Sequence, residues 1–219
     1  SEQDALLFKR MLLPDEKIVM SAEMNTDLRL TRTIAAFDEA NAHDPRQEQD
    51  EDGQSVAYEL LYARRMSDML HHFCPQASEA LQLAARSQHI ERWMLPRELY
   101  PLDRTGYLQW RSELKLRHAA RASEIMLAQG YDSAMCERVA ALLKKEKLKS
   151  DAESQTLEDV ICLVFLQYYF TEFTKAHDEA KLIDILQKTW RKMSEAGHQA
   201  ALKLVLPKEQ TTLVAKALA

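Results

Sequence analysis

The stretch Ala84-Ala85-Arg86-Ser87-Gln88-His89-Ile90-Glu91-Arg92-Trp93 gathers chemistry-bearing side chains at the end of an amphipathic helix. An imidazole, an acid, a guanidinium and an indole follow small alanines just before a proline-punctuated loop, which is the composition of a site wall. His89 is a candidate general acid or base, because imidazole changes charge near neutral pH. Arg92 can hold a phosphate or carboxylate by charge-assisted hydrogen bonds. Trp93 offers a face on which a base or a guanidinium stacks. The plainer readings stand beside these: Arg92 paired with Glu91 or Glu98, and Trp93 as a packing anchor.

Two further regions carry reactive types. Trp110, Leu114, His118, Ala122, Ile125 and Met126 recur at spacings of three and four, with Arg111, Lys115 and Arg117 alongside. His118 on that stripe is either a second acid–base group or a hydrogen-bonded core histidine. Asp159, with Glu158 beside it, opens the most hydrophobic run, as a ligand or as a charge complementing a helix N-terminus. Arg65 shares a helix face with Tyr62, Arg104 lies in the loop after Trp93, and Lys144 heads a lysine cluster where cations oppose a helix C-terminus. His71 and His72 are adjacent, so they diverge by about 100° on a helix and make a poor chelate.

Helices must position these groups. Asn25 or Thr26 caps a helix to about Ala42, and an acidic tract from His43 to Gln54 reads as an exposed loop. Further helices are expected over 56–73, 77–91, 106–129 with Thr105 as cap and Gly130 as stop, 132–147, 157–177, from Asp178 to a break at Gly197, and 207–218. The run at 157–177 is apolar on most sides and is expected at the centre. Residues 94–105, with Pro96 and Pro101, resist continuous helix, and a loop of that length in a compact domain is often functional. Residues 1–23, with a short helix expected over 5–13, fit the rest poorly and read as a flexible or appended extension to one domain spanning 24–219.

Composition narrows the classes. In 219 residues there are 4 Gly and 6 Pro, which favours long helices over many short strands. A net charge of -5 gives no global basic field for nucleic acid. Cys74, Cys136 and Cys162 are isolated and read as buried small hydrophobes. No run of about 18 apolar residues suggests a membrane span, and the cytoplasm is the default compartment. Oligomeric state is open.

The order of these features resembles the HD-domain superfamily of metal-dependent phosphohydrolases. Leu61-Tyr62-Ala63-Arg64-Arg65-Met66 resembles its first segment with Tyr62 in place of His. Ala84-Ala85-Arg86-Ser87-Gln88-His89 resembles the second with Gln88-His89 in place of His-Asp. His118 and Asp159 resemble later ligand positions, and Lys144-Lys145 stand about where a further His would be. From Met24 onward the chain is similar in a more specific way to a family catalogued as domain of unknown function 4202. The segments that carry this are Gln88-His89-Ile90-Glu91-Arg92-Trp93, Tyr107-Leu108-Gln109-Trp110-Arg111, Leu157-Glu158-Asp159 and Lys188-Thr189-Trp190-Arg191-Lys192-Met193. That family brings no activity with it.

The resemblance implies an all-α, HD-like domain whose pocket gathers these residues. His89, His118 and Asp159 would be its catalytic groups or, with Glu158 and Gln88 as weak additions, the ligands of a divalent metal that polarises a phosphoryl oxygen. Tyr62 and Lys144 at ligand positions oppose a metal. They turn the expectation toward a cationic pocket in which Arg65, Arg92, Arg104, Arg111, Lys115 and Lys144 hold a small phosphorylated or nucleotide-like metabolite, with Trp93 and Trp110 stacking on it. The other class is a non-catalytic sensor or protein-interaction module, for which an apolar surface around Leu202 to Leu206 is expected.

Overall fold

The computed structural model describes residues 14–219. Helix α1 (Pro14–Ala42) precedes strands β1 (Gln47–Gln49) and β2 (Ser55–Ala57), then α2 (Tyr58–Phe73) and α3 (Glu79–Arg86). Two single-turn 3-10 helices, Arg92–Met94 and Arg97–Leu99, lead to α4 (Arg104–Ala128) and α5 (Ser133–Lys144). α6 (Ala152–Val164) continues through a π-helical segment, Phe165–Tyr169, into α7 (Phe170–Ala176). α8 (Glu179–Lys192), α9 (Glu195–Leu202) and α10 (Lys208–Leu218) follow. The architecture is mostly α, with one small antiparallel hairpin that pairs Gln47 with Ala57 and Gln49 with Ser55.

Short polar side chains start these helices by accepting otherwise unpaired N–H groups. Ser78 accepts from Leu81, Asp132 from Met135, Asp151 from Glu153 and Ser154, and Asp178 from Lys181. α4 is capped by Asp103, which accepts from Gly106 N at 2.7 Å, two residues before the expected Thr105. Gly106 also lies against the Pro101 carbonyl, where any Cβ would overlap it, so the loop over 94–105 is seated tightly on the first turn of α4. Gly130, at φ +91°, turns the chain out of α4 in the left-handed region that glycine adopts at least cost.

α6 lies at the centre, with α2, α3, α5, α8 and α9 packed on it. Leu157, Val160, Leu163 and Val164 are at most 1 % exposed. Each such side chain stabilises the fold by about 1.5–3 kcal/mol relative to exposure. α1 lies across α2, α3 and α4, and α8 pairs with α10. No helix among the described residues is long and apolar enough to cross a membrane.

Several boundaries differ from the sequence expectation. The helix expected over 5–13 lies outside the described residues. α1 runs through Asn25 and Thr26 without a fresh start, and the Thr26 hydroxyl donates to the Ala22 carbonyl at 3.0 Å instead of capping. The acidic tract is folded: Asp50 accepts from the Asp52 and Gln54 N–H groups, Gly53 takes φ +77°, and the hairpin results. The run at 157–177 is interrupted by the π segment. α8 stops at Lys192 and Ser194 caps α9, so the break precedes Gly197. Cys136 and Cys162 are buried, whereas Cys74 is half-exposed.

Candidate functional site

A cavity of about 720 Å³ is lined by α2, the segment from His89 to Glu98, α4, the end of α5, α6 with its π segment, and α8. Its floor is a polar network that begins in the turn before β1. Asp44 accepts from Arg46 Nε and Nη2, at 3.2 and 3.0 Å, and from the Glu59 N–H at 3.1 Å. Arg46 Nη2 in turn donates to Glu59 Oε1 at 3.0 Å. Glu59 is 1 % exposed, and its second oxygen, Oε2, has no hydrogen-bond partner among the described residues. That oxygen lies 3.5 Å from His89 Nδ1.

His89 is fixed on two further sides. Its ring stacks on Tyr62, with centroids 3.9 Å apart and planes 9° from parallel. Arg92 Nη1 lies 2.8 Å from Nε2 and 3.4 Å from Nδ1. A guanidinium only donates, so the nearer nitrogen, Nε2, accepts, and the ring proton belongs on Nδ1, toward Glu59. Burial, then Arg92, Arg111, Lys145 and Arg46, hold the His89 pKa well below the ordinary range, so the ring is neutral. Burial pushes Glu59 the other way, up to about 7, against the pull of Arg92 and Arg46.

Cations outnumber carboxylates around the cavity. Arg46, Arg92, Arg97, Arg111, Lys145 and Lys192 line it, against Glu59, Glu98 and Glu158. Lys145 Nζ pairs with Glu158 Oε2 at 2.5 Å. Arg92, Arg111 and Lys192 have no carboxylate within ion-pair distance among the described residues. Burial lowers the Arg92 pKa, with Arg111 acting in the same direction and Glu59 opposing. Cys162 also lines the cavity, but burial pushes its thiol up to about 12 and keeps it protonated.

An aromatic wall completes the enclosure. Trp110 Nε1 donates to the Leu95 carbonyl at 2.8 Å, tying α4 to the loop. The Arg92 guanidinium lies 5.0 Å from the Trp110 ring centroid, and Tyr107 sits beside that indole at 6.0 Å. Across the cavity, Phe165 and Phe173 meet edge to face at 5.2 Å. The π segment ends at Tyr169, which also reaches the lining. A single extra-wide turn of this kind re-aims side chains and is frequent at functional sites.

The structure brings together part of the expected set. His89, Arg92, Trp93, Trp110 and Arg111 line the cavity. His118 lies behind it: its ring is 6.2 Å from His89, its Nδ1 meets the Ile90 carbonyl at 2.8 Å, and burial drives its pKa down to about 3. Asp159 instead holds Ser194, the cap of α9, accepting from its N–H at 2.8 Å and its hydroxyl at 2.5 Å, and from Gln155 at 3.2 Å. Those three therefore do not converge. Among the described residues no group of three or more His, Cys, Asp or Glu side chains is arranged to hold a metal ion.

Other expected members are placed elsewhere. Arg65 is turned to Glu48, Glu51 and Tyr169 and packs over Tyr168, because the hairpin supplies carboxylates on that side. Arg104 is exposed in the first turn of α4, and Lys115 lies outside the lining. Lys144 pairs with Glu146. Lys145 enters the cavity in its place because α5 ends there in the left-handed conformation, at φ +57°. Gln88 is buried and Glu158, a weak addition by sequence, is in the lining.

Glu59 was missed, yet a signal existed: Glu59, Tyr62, Met66 and Met69 fall at helical spacing on one buried stripe, and a carboxylate on such a stripe needs a reason. Arg46 had no comparable signal, since it sits in the acidic tract. The chain matches no curated protein and no solved structure. One family model does match, over residues 31–214, a span that holds every cavity-lining residue. The chain belongs to the family described as Domain of unknown function (DUF4202).

Proposed function

We propose that the cavity binds a small anionic metabolite, phosphorylated or nucleotide-like, and positions it for acid–base chemistry. The observation that carries this is Arg92: a half-buried guanidinium at the cavity wall whose nearest hydrogen-bond partner is a neutral imidazole. Withdrawing a cation from water without a carboxylate beside it is costly unless a partner arrives, and a phosphate supplies acceptors for Arg92, Arg111 and Lys192 together. The aromatic wall of Trp93, Tyr107 and Trp110 suits a planar ring attached to that anion. The volume accommodates a molecule of nucleotide size.

A melting-temperature screen at constant ionic strength tests the reading, with nucleoside monophosphates, sugar phosphates and sulfated metabolites as ligands. A ligand at 100 times its Kd stabilises the native state by about 2.7 kcal/mol, a shift of a few degrees for a chain of this size. Arg92→Ala and Arg111→Ala should each remove most of that shift. Equal shifts in both variants and the parent would place the anion elsewhere and sink the reading.

A further inference from the structure

We propose that Glu59 and His89 form a carboxylate–imidazole proton pair, and that Arg92 keeps the pair covered until an anion in the cavity draws its guanidinium away. This deepens the anion-binding reading and rests on it. Glu59 is held by Arg46 through Oε1, so the oxygen left unpartnered, Oε2, is the one that faces His89 Nδ1 at 3.5 Å. Tyr62 fixes the ring plane by stacking, and the Ile90 carbonyl, held by His118, anchors the backbone beside it. The other ring nitrogen would face the cavity, but Arg92 Nη1 sits on it at 2.8 Å.

The competition for Arg92 has a clear direction. A guanidinium bonded to an anionic oxygen gains the attraction between two full charges, and room for a second parallel hydrogen bond, over the contact it makes with a neutral imidazole. An anion held by Arg111 and Lys192 is therefore the better partner, and Arg92 turns to it. His89 Nε2 is then exposed to the ligand. A hydroxyl of the ligand, or a water beside it, passes its proton to Nε2 while the electron pair stays on that oxygen, and the Nδ1–H remains directed at Glu59. Arg46, Arg92, Arg111 and Lys145 all oppose a positive charge on the ring, and Glu59 is the carboxylate placed to offset them. Chemistry is thereby coupled to occupancy: the base is uncovered by the ligand it serves.

Sulfate is the probe, because it exchanges no proton near neutral pH. The full chain carrying nitrogen-labelled histidine is titrated with sulfate at constant ionic strength, and long-range proton–nitrogen spectra report the tautomer and protonation of His89. Without sulfate, the Nδ1–H tautomer with a hydrogen-bonded Nε2 is expected. With sulfate bound, the Nε2 signal should move to that of a released nitrogen, and the apparent pKa of His89 should rise by about one unit, a tenfold change. Glu59→Gln should bind sulfate with that rise largely lost. Sulfate binding, seen at Arg111 and the Trp110 indole, with unchanged His89 nitrogens would overturn the proposal and leave the anion site standing. A rise of equal size in Glu59→Gln would remove Glu59 from the pair. Absence of sulfate binding at tens of millimolar would overturn both readings. The measurement on the parent chain needs no variant to fold.

Discussion

A carboxyl group that titrates near neutrality inside a fold ties its protonation to stability. Glu59 ordinarily titrates near 4.5 and is raised to about 7 in the folded chain, so the native state favours its protonated form. Its contribution is fully present below about 4.5 and is lost as pH rises through about 7, a difference of about 3 kcal/mol. Glu59→Gln keeps the shape without the charge, so its stability relative to the parent should be higher at pH 8 than at pH 5 by about 2.5 kcal/mol, part of the effect being already lost at pH 5. Urea unfolding at the two pH values checks this, and a constant difference would refute it. His118 acts with the opposite sign: its pKa is depressed to about 3, so its contribution is complete above about 6.5 and is lost as pH falls toward 3. At this scale the sequence revealed residues whose types advertise chemistry, namely His89, Arg92, Trp93, Trp110 and Arg111. It concealed Glu59, because an acid in a first helical turn has an ordinary explanation in the helix dipole.

Among the elements, caps were legible and interruptions were not. Asp132 and Asp178 cap where a short acid precedes an apolar period. The π segment leaves no comparable mark, since an apolar run of 157–177 reads the same with or without one wide turn. Asp159 shows how an element-level role can look like chemistry. Its carboxylate holds the start of α9, and a Cβ at Gly197 would lie 2.5 Å from Asp159 Oδ1, so a larger residue there would displace that carboxylate. Asp159→Ala should therefore lower stability by about 1–3 kcal/mol, leaving the Ser194 donors without their partner, while the affinity for anions stays within twofold of the parent. Denaturant melts with ligand titrations separate the two effects. A large loss of anion affinity at unchanged stability would return Asp159 to the site.

At the level of the whole molecule, charge is partitioned. The chain carries a net -5, yet its main cavity has a cation excess, because carboxylates are spent on partners elsewhere: Asp38 on Arg86, Glu91 on Arg121, Asp151 and Glu153 on Arg138. The cavity is also non-local. Arg46 comes from the turn before the hairpin, Arg92 from a 3-10 turn, Arg111 from α4 and Lys192 from the last turn of α8. No window of sequence contains the site, and for that reason composition gave the fold class while the membership of the pocket needed the packing. An anion held as proposed by Arg92, Arg111 and Lys192 would tie together three segments distant in the chain.

The left-handed turn at Lys145 sets backbone comfort against a cation carried into the cavity. Any side chain there costs about 1–2 kcal/mol relative to glycine, and a lysine stands at φ +57° where glycine would relax the turn. Its ammonium in the cavity, paired with Glu158, is what glycine cannot supply. Lys145→Gly combined with Glu158→Gln, which leaves no carboxylate stranded, should match or exceed the parent in thermal stability and bind anions several-fold more weakly. If the double variant loses stability and keeps its affinity, the lysine serves the fold. If it behaves as expected, this turn is a place where natural selection has accepted a less stable molecule in order to keep a more useful one.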